Sequence, residues 1–321
     1  MIPESFILSP EIIQAQRLGQ PIVALETAVV THGLPRPNNL LLGRELETIV
    51  RGQGVAAATV GLIDGKIHVG LSDAELVRLA SEDGLRKISR RDFGIAMARK
   101  ESGGTTVAGT LIAAHAAGLR VFATGGIGGV HRAAPFDVSA DLEELGRSPL
   151  VVVCAGAKAI LDLPATLEVL ETKGVPVIGY QTDEFPAFYS INSGLPVTAR
   201  ADSPSEVARI ARSQWDAGIE AAVLVVVPPP AEFALPAAEV EQSIQQALGE
   251  ASVAGIHGAA VTPFLLNRVN ELSGGASMQA NLAFLRNNAR LAALIARELA
   301  GGKSSNARSC SRCSLLLRRR W

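Results

Sequence analysis

The sequence predicts a single α/β domain with an α/β/α layered architecture, in which a mostly parallel central sheet lies between helices and carries an added β-hairpin. Continuous apolar segments such as VVVC and AVLVVV are typical of parallel strands that are buried on both faces. Segments with helix-start signals alternate with these strands, which is the order of an α/β protein. No break in composition and no internal repeat divides residues 1–301. We therefore expect one domain over this range.

The predicted strands are short apolar or alternating segments. Asp64-Gly65 lies between two alternating segments and is a typical two-residue hairpin turn. A single acid, Glu26, interrupts the first strand. In chain order the strands are PIVALETAVV (21–30), the two arms of the hairpin (55–71), LRVFAT (119–124), LVVVCA (150–155), VPVIGY (175–180) and IEAAVLVVV (219–227).

The predicted helices begin at residues that can cap a first turn. Ser72 and Glu75 have the spacing of a capping box, and Ser139 can cap the segment ADLEELGR. Ser203-Pro204 announces a further helix. The other helices expected are a short one ending near Lys100, one that starts at the Gly-Gly-Thr-Thr sequence 103–106 and ends at Gly118, and two or three between residues 236 and 300.

Composition excludes several classes of protein. The net charge of −1 gives no electrostatic reason to bind nucleic acid or an acidic membrane surface. No apolar segment approaches the roughly twenty residues that span a bilayer. The first twenty residues lack the basic and apolar regions of a secretory signal, and three cysteines do not make a disulfide framework. The sequence thus predicts a cytoplasmic protein.

The last segment, residues 302–321, differs from the rest in its polarity and its basic end. Cys310 and Cys313 could form half of a zinc site, but no second pair of ligands follows nearby. We expect a disordered appendage here.

In an open α/β sheet, ligands bind at the carboxyl ends of the strands. The unusual residues fall at such corners, and the Gly-Gly-Thr-Thr sequence suits a phosphate, although an ordinary helix start looks the same. The GGIGG loop at 125–129 is not in register with a dinucleotide-binding motif, and there is no P-loop. The corners are 31–33, 103–106, 125–132, 139–141 and 155–158.

Two residues at these corners have reactive side chains. Burial disfavours the charged form of Glu26, which could therefore act as a general acid or could form an ion pair with an arginine. Lys158 follows three small residues, so a ligand could approach closely and a desolvated amine could form a Schiff base with a sugar aldehyde. A salt bridge to Asp162 is the alternative.

The segment 137–141 allows two interpretations. Ser139 and Asp141 could simply be the cap and first turn of a helix. Alternatively, a carboxylate here could hold a hydrated divalent ion. His131 and Arg132 could lie beside an anion or a metal, or could be structural.

A series of motifs in order from about Pro10 to Ala300 closely resembles the pseudouridine-5'-phosphate glycosidase family, which includes indigoidine-biosynthesis protein A relatives. The motifs LETAVVTHG and CAGAKAILD are the most specific of the series. The others are KISRRDF, GGTTVAGTL, GGIGGVHR, FDVSADLEEL, VPVIGYQTDEFPAFY and ANLAFLRNNARLAALIA. The resemblance implies a homotrimeric α/β/α lyase that uses manganese, one Mn2+ per subunit. It implies reversible cleavage of pseudouridine 5'-phosphate into uracil and ribose 5-phosphate, in pseudouridine catabolism.

The resemblance also implies roles for single residues. Lys158 matches the nucleophile, Glu26 the proton donor and Asp137 the metal ligand. The residues implied to contact substrate are Lys87, Val107 through its backbone, Ser139, Ala140 and Asp141, with His131 and Asn287 in family-like motifs and with Thr105 and Thr106 beside the 5'-phosphate.

The bond to be cleaved explains why such residues are needed. It joins C1' of the sugar to C5 of the base, and carbon is a poor leaving group, so the two-carboxylate method of common glycosidases does not serve. An iminium between Lys158 and C1' of the opened ribose would let the sugar fragment take up charge. Two alternatives remain: a related Schiff-base lyase acting on another sugar phosphate or a pigment precursor, and a non-catalytic sugar-phosphate-binding protein.

Overall fold

The computed structural model describes residues 3–132, 134–256 and 261–301. Its strands are β1 (Phe6–Leu8), β2 (Ile22–Leu25), β3 (Ala56–Ile63), β4 (Lys66–Val69), β5 (Arg86–Ile88), β6 (Gly103–Thr105), β7 (Val121–Ala123), β8 (Val130–His131), β9 (Ala134–Val138), β10 (Val151–Cys154), β11 (Leu161–Asp162), β12 (Val177–Tyr180), β13 (Ala199–Ala201) and β14 (Val223–Val226). Its helices are α1 (Pro10–Leu18), α2 (Asn38–Arg51), α3 (Asp73–Ser81), α4 (Phe93–Ala98), α5 (Val107–Ala116), α6 (Ala140–Leu145), α7 (Leu163–Thr172), α8 (Pro204–Asp216), α9 (Ala237–Val253), α10 (Val261–Leu272) and α11 (Ala276–Gly301).

The central sheet has eleven strands, and most of its pairs are parallel. Along the sheet the order is β1, β4, β3, β2, β7, β10, β14, β12 and β13, with β5 and β6 attached beside β3. From β3 to β13 every neighbouring pair in this order is parallel. Among the described strands of this sheet, the antiparallel pairs are those of β3 with β4 and with β6. The predicted mostly parallel sheet is confirmed.

Helices cover the sheet and bury its strands. The long helix α11 packs with α2 and α8 and crosses β2, β7 and β10, while α5 packs with α6 and against β2 and β3. All four residues of β10 are 0% exposed, which explains their continuous apolar sequence. Burial raises the pKa of the Cys154 thiol to about 12, so this cysteine stays protonated and acts as a small apolar residue.

The predicted hairpin and helix caps are confirmed. Asp64 and Gly65 have φ values of 49° and 78°, as a type I′ turn requires, and they join β3 to β4. Ser72 forms the capping box with Glu75 at the start of α3. Ser139 caps α6 by accepting a hydrogen bond from the backbone N–H of Asp141.

Several features of the fold differ from the sequence prediction. The strand expected over residues 21–30 ends at Leu25, so Glu26 follows the strand and does not interrupt it, and Val29–Gly33 form a π-helix. The Gly-Gly-Thr sequence expected to begin a helix forms β6, and α5 starts only at Val107. A Cβ atom on Gly103 would lie 2.1 Å from the carbonyl oxygen of Arg86, so glycine allows this close strand pairing. A second sheet, with the order β11, β8, β9, was not predicted.

Two further predictions concern termini and membranes. The tail 302–321, with its two cysteines, lies outside the described residues. Among the helices described, none is long and apolar enough to cross a membrane.

Candidate active site

Three neighbouring strands end at one edge of the sheet, and each is followed by a polar side chain. Glu26 comes directly after β2, Thr124 directly after β7, and Lys158 four residues after β10. Because β2, β7 and β10 are parallel neighbours, their carboxyl ends meet at the same edge. The fold therefore gathers an acid, a hydroxyl and an amine there.

Glu26 is partly buried and receives a hydrogen bond from the Thr124 hydroxyl through its Oε1 atom. Burial raises the pKa of Glu26 above its usual value of 4.5. The charge of Lys158 and the bond from Thr124 oppose this increase in pKa, while the negative charge of Asp141 adds to it. Its hydrogen-bond partner is thus a hydroxyl and not the arginine of the alternative interpretation, and the carboxyl holds its proton to higher pH than an exposed glutamate.

Asn288 on α11 forms a hydrogen bond with the backbone of Thr124. Its side chain is 0% exposed, and its amide nitrogen donates a 2.9 Å hydrogen bond to the carbonyl oxygen of Thr124. This bond fixes the end of β7, from which the Thr124 hydroxyl reaches Glu26. The partner Oδ1 atom of Asn288 is buried without a hydrogen-bond partner among the described residues.

Lys158 lies in a turn that is hydrogen-bonded to the glycine loop, residues 125–129. Its backbone N–H donates to the carbonyl oxygen of Ile127 at 3.1 Å, and its carbonyl accepts from the N–H of Leu161 at 3.0 Å. The alternative partner Asp162 instead caps α7 by accepting a hydrogen bond from the Ala165 N–H at 3.0 Å. The segment 158–162 is a turn and a short strand, so the helical i,i+4 geometry of that salt bridge does not exist.

Lys87 is half-buried on β5 and belongs to the same cluster of charges. Burial and the positive charge of Lys158 lower the pKa of Lys87, whereas Asp141 and Glu26 oppose this decrease. The two lysines and two carboxylates thus influence one another, although their sequence positions span 26 to 158.

Asp141 is 5% exposed and connects three parts of the site. Its Oδ1 accepts a 2.8 Å hydrogen bond from the N–H of Ala108 in α5, and its Oδ2 accepts one of the same length from the N–H of Gly128. A Cβ atom at position 128 would lie 2.2 Å from Ser139 Oγ, so only glycine lets this loop approach. Asp141 is therefore both a structural link and a buried negative charge beside Glu26 and Lys87.

The neighbouring residues Ser139 and Ala140 begin α6 and are half-buried. The Ser139 backbone N–H donates to the carbonyl oxygen of Gly129 at 3.0 Å. This bond places the first turn of α6 against the glycine loop.

The three residues 105–107 have different environments. Thr105 is 0% exposed, and its hydroxyl is engaged with Thr110 and with the carbonyl of Val60, so its side chain lies within the fold and not in a pocket. Thr106 is half-buried and caps α5. Val107 is the first residue of α5, where the helix provides no acceptor for its N–H, so this group could bind a ligand.

Asp137 and His131 lie on the small second sheet. Asp137 is exposed on β9, and His131 is half-buried on β8, where it pairs with Leu161 near Lys158. Within residues 3–132, 134–256 and 261–301, no group of three or more potential His, Cys, Asp or Glu ligands occurs. A single exposed carboxylate fits a hydrated ion held by one protein oxygen, but not an ion enclosed by protein ligands.

Sequence reasoning named Asn287, which is half-buried on α11, but overlooked its neighbour Asn288 and Thr124. Thr124 could have been found because it ends a strand directly before the glycine loop. Asn288 could have been found because it is the polar residue on a helix face whose other members, Phe284 and Leu291, are apolar and buried.

Two lysines and two carboxylates thus lie close enough to influence one another near the carboxyl edge of the parallel sheet, and burial keeps one carboxyl towards its protonated form. This fold and this cluster are typical of an α/β enzyme. The family model described as indigoidine synthase A like protein matches residues 11–298, and the chain belongs to this family. The resemblance seen in the sequence motifs is thus confirmed.

Relatives and solved structures agree with this assignment. The pseudouridine-5'-phosphate glycosidase of Solibacter usitatus is 52% identical over 91% of this chain and 98% of its own length. That of Paracoccus denitrificans is 51% identical over 93% of this chain and 100% of its own length. The crystal structure of the prealnumycin C-glycosynthase AlnA in complex with ribulose 5-phosphate has a TM-score of 0.88, with 38% identity over 94% of this chain and 99% of that one. An indigoidine synthase A-like protein from Thermotoga maritima has a TM-score of 0.84, with 36% identity over 93% of this chain and 98% of that one.

Proposed function

We propose that this protein reversibly cleaves the C-glycosidic bond of pseudouridine 5'-phosphate, giving uracil and D-ribose 5-phosphate. The observation that carries the proposal is the meeting of Lys158 and a proton-holding Glu26 at the carboxyl ends of neighbouring parallel strands. Relatives about half identical in sequence have the name of this activity, which supports it. The same reaction would serve pseudouridine breakdown.

Lys158 performs the covalent step. Its Nζ displaces the ring oxygen O4' from C1', which opens the ribose as a C1'–N bond forms and O4' takes up a proton. The nitrogen lone pair then forms an iminium as the C1'–C5 bond breaks, and this bond pair leaves with the base. Water hydrolyses the iminium to the aldehyde of ribose 5-phosphate and frees the amine. The sum is substrate plus water giving uracil plus ribose 5-phosphate.

Glu26 supplies the proton that the departing C5 atom needs. Because burial holds its pKa above the usual value, the carboxyl remains a proton donor at less acidic pH. In synthesis the carboxylate removes the same proton from C5.

The 5'-phosphate would be held by Lys87, the Thr106 hydroxyl and the N–H of Val107 at the start of α5. An anion close to Lys87 would favour its charged form and thereby reverse the effect of burial on its pKa. Ser139, Ala140, Asp141, His131 and Asn287 are proposed to complete the substrate pocket around the sugar and base.

The direct test is to incubate the purified protein with pseudouridine 5'-phosphate and to measure free uracil by chromatography. We expect uracil and ribose 5-phosphate in equal amounts, and the reverse reaction when both are supplied. Uridine 5'-phosphate, which has a carbon–nitrogen glycosidic bond, is the matched control and should not react. Absence of uracil release at high enzyme concentration would reject the proposal.

A second candidate is a C-glycoside-forming enzyme that joins a pentose phosphate to another aromatic acceptor. It is favoured by the similarity to a C-glycosynthase solved with ribulose 5-phosphate. The two candidates share the lysine and differ in the base pocket. They are separated by whether uracil, or only a larger acceptor, consumes ribose 5-phosphate.

We also propose that Asp137 holds a manganese ion whose other positions are filled by water and substrate oxygens. Such an ion would supply positive charge that orients sugar hydroxyls or uracil oxygens. An Asp137→Asn variant is expected to bind Mn2+ at least about tenfold more weakly, because it loses the charged ligand. The measurement is isothermal titration calorimetry with Mn2+, with Glu232→Gln as a control on a separate exposed turn. Unchanged Mn2+ affinity in Asp137→Asn would show that Asp137 only precedes a helix cap.

Assembly and location are proposed on the family resemblance. We propose a homotrimer, which light scattering after gel filtration would measure as about three times the mass of 33.5 kDa. We propose a cytoplasmic location, consistent with a pathway that consumes a nucleotide.

A further inference from the structure

The turn that carries Lys158 is held against the strand β8 on its other side. Leu161 and Asp162 pair antiparallel with His131 and Val130, so the chain returns past β8 immediately after the turn. Thr166 contributes a further connection, since its hydroxyl accepts a 3.0 Å hydrogen bond from the N–H of Val130. These contacts fix the two ends of the turn.

Arg132 holds the turn through two of its carbonyl groups. Its Nη2 donates a 3.0 Å hydrogen bond to the carbonyl oxygen of Ala159, and its Nε donates one of 3.1 Å to the carbonyl oxygen of Leu161. The planar guanidinium thus spans the turn with two donors of fixed relative direction. These two donors point at backbone carbonyls of the turn.

The third guanidinium nitrogen of Arg132 binds a residue of helix α9. Nη1 donates a 2.7 Å hydrogen bond to Glu241 on α9, and this bond lowers the pKa of Glu241. The Arg132 side chain is 24% exposed, so it is partly removed from competing water. Each of the three guanidinium nitrogens therefore donates a hydrogen bond, two of them to the turn and one to α9.

We propose that Arg132 is a positioning residue for Lys158. It holds the carbonyls of Ala159 and Leu161 and is itself held by Glu241. It thereby fixes the turn from which the amine reaches C1' of the sugar. This inference rests on the proposed function, since it assumes that Lys158 is the nucleophile. A nucleophile must be held close to its attack geometry, and a displacement of about 1 Å can lower the rate about 10²-fold. Arg132 does not touch the substrate in this proposal.

Lysine could not replace arginine in this role. Its ammonium group is a single point on a flexible stem and cannot hold two carbonyls and a carboxylate in fixed directions. Both Arg132→Lys and Arg132→Gln should therefore loosen the turn, although only the second removes the positive charge.

The test compares these variants with Arg268→Gln. Arg268 is 29% exposed and likewise binds a carboxylate of α9, Glu250, but it connects α9 to α10. Its hydrogen bonds and ion pairs to described residues go to Glu250 and Glu271 and not to the Lys158 turn. The rate of borohydride-trapped adduct formation with ribose 5-phosphate and the steady-state kcat and KM are measured for each variant, with the thermal unfolding midpoint as the control for stability.

We expect Arg132→Lys and Arg132→Gln to form the adduct, and to turn over, about 10²-fold more slowly at saturating ribose 5-phosphate, with KM changed less than about threefold. Glu241→Gln should give a smaller decrease, and Arg268→Gln should keep the wild-type rates. If Arg132→Gln does not fold, Arg132→Lys carries the same comparison.

Wild-type rates in Arg132→Lys would overturn the inference. So would an equal loss in Arg268→Gln, which would assign the effect to general stability. Failure of the wild-type protein to form any adduct on Lys158 would instead reject the proposed function, so the two failures are distinguishable.

Discussion

A Lys158→Ala variant is expected to lose the borohydride-trapped ribose 5-phosphate adduct and to lose turnover roughly 10³-fold or more. The physical reason is that alanine offers no amine to displace O4' or to condense with the aldehyde. In the wild-type protein, condensation releases water, and hydride from borohydride then reduces the imine to a stable secondary amine. Mass spectrometry of the digested protein should locate this mass increase on the peptide that contains Lys158.

Two further lysine variants separate nucleophilicity from charge and binding. Lys158→Arg keeps a positive charge near Glu26 but should form no adduct. Lys87→Ala should need a higher ribose 5-phosphate concentration but should still be trapped at saturation, because we assign Lys87 to the phosphate. An adduct on another residue, or wild-type turnover in Lys158→Ala, would remove the mechanism.

A Glu26→Gln variant is expected to have kcat lowered about 10²–10⁴-fold, because glutamine cannot deliver a proton to C5. In the wild-type protein, kcat/KM for cleavage should fall as pH rises through the raised pKa of Glu26. This decline should be absent from the residual activity of Glu26→Gln. Thr124→Val provides the matched control: it removes a hydrogen bond that lowers the pKa of Glu26, so the decline should move to higher pH.

Protein stability gives an independent check on Glu26. Because burial raises its pKa in the folded state, the carboxyl contributes stability that is fully present below its unfolded pKa and is lost as pH rises through the folded pKa. At alkaline pH, Glu26→Gln should therefore unfold at a temperature equal to or above that of the wild type. A marked loss of stability there, or an unchanged pH profile of activity, would contradict the role of a buried acid.

Local sequence was sufficient for several elements of the fold. The Asp64-Gly65 turn and the Ser72 capping box depend on a few adjacent residues whose backbone preferences act alone. The apolar sequence of β10 predicted a strand because a parallel strand buried on both faces has no polar side. Elements that need a distant partner were missed: β6 exists because Gly103 can approach Arg86, and β11 because it pairs with β8.

The candidate site shows the same division. The sequence by itself determined which reactive groups the chain carries, and that Lys158 follows a strand of a parallel sheet, because each depends on residue type and on local apolar pattern. The tertiary structure moved Glu26 from within the predicted strand to the position directly after β2. Only the tertiary structure decided which groups meet: that Asp141 joins α5 to the glycine loop, that Asn288 holds Thr124, and that Arg132 faces the turn after Lys158. These contacts join residues up to 164 positions apart, and hydrogen-bond geometry over such separations is set by how helices pack on the sheet.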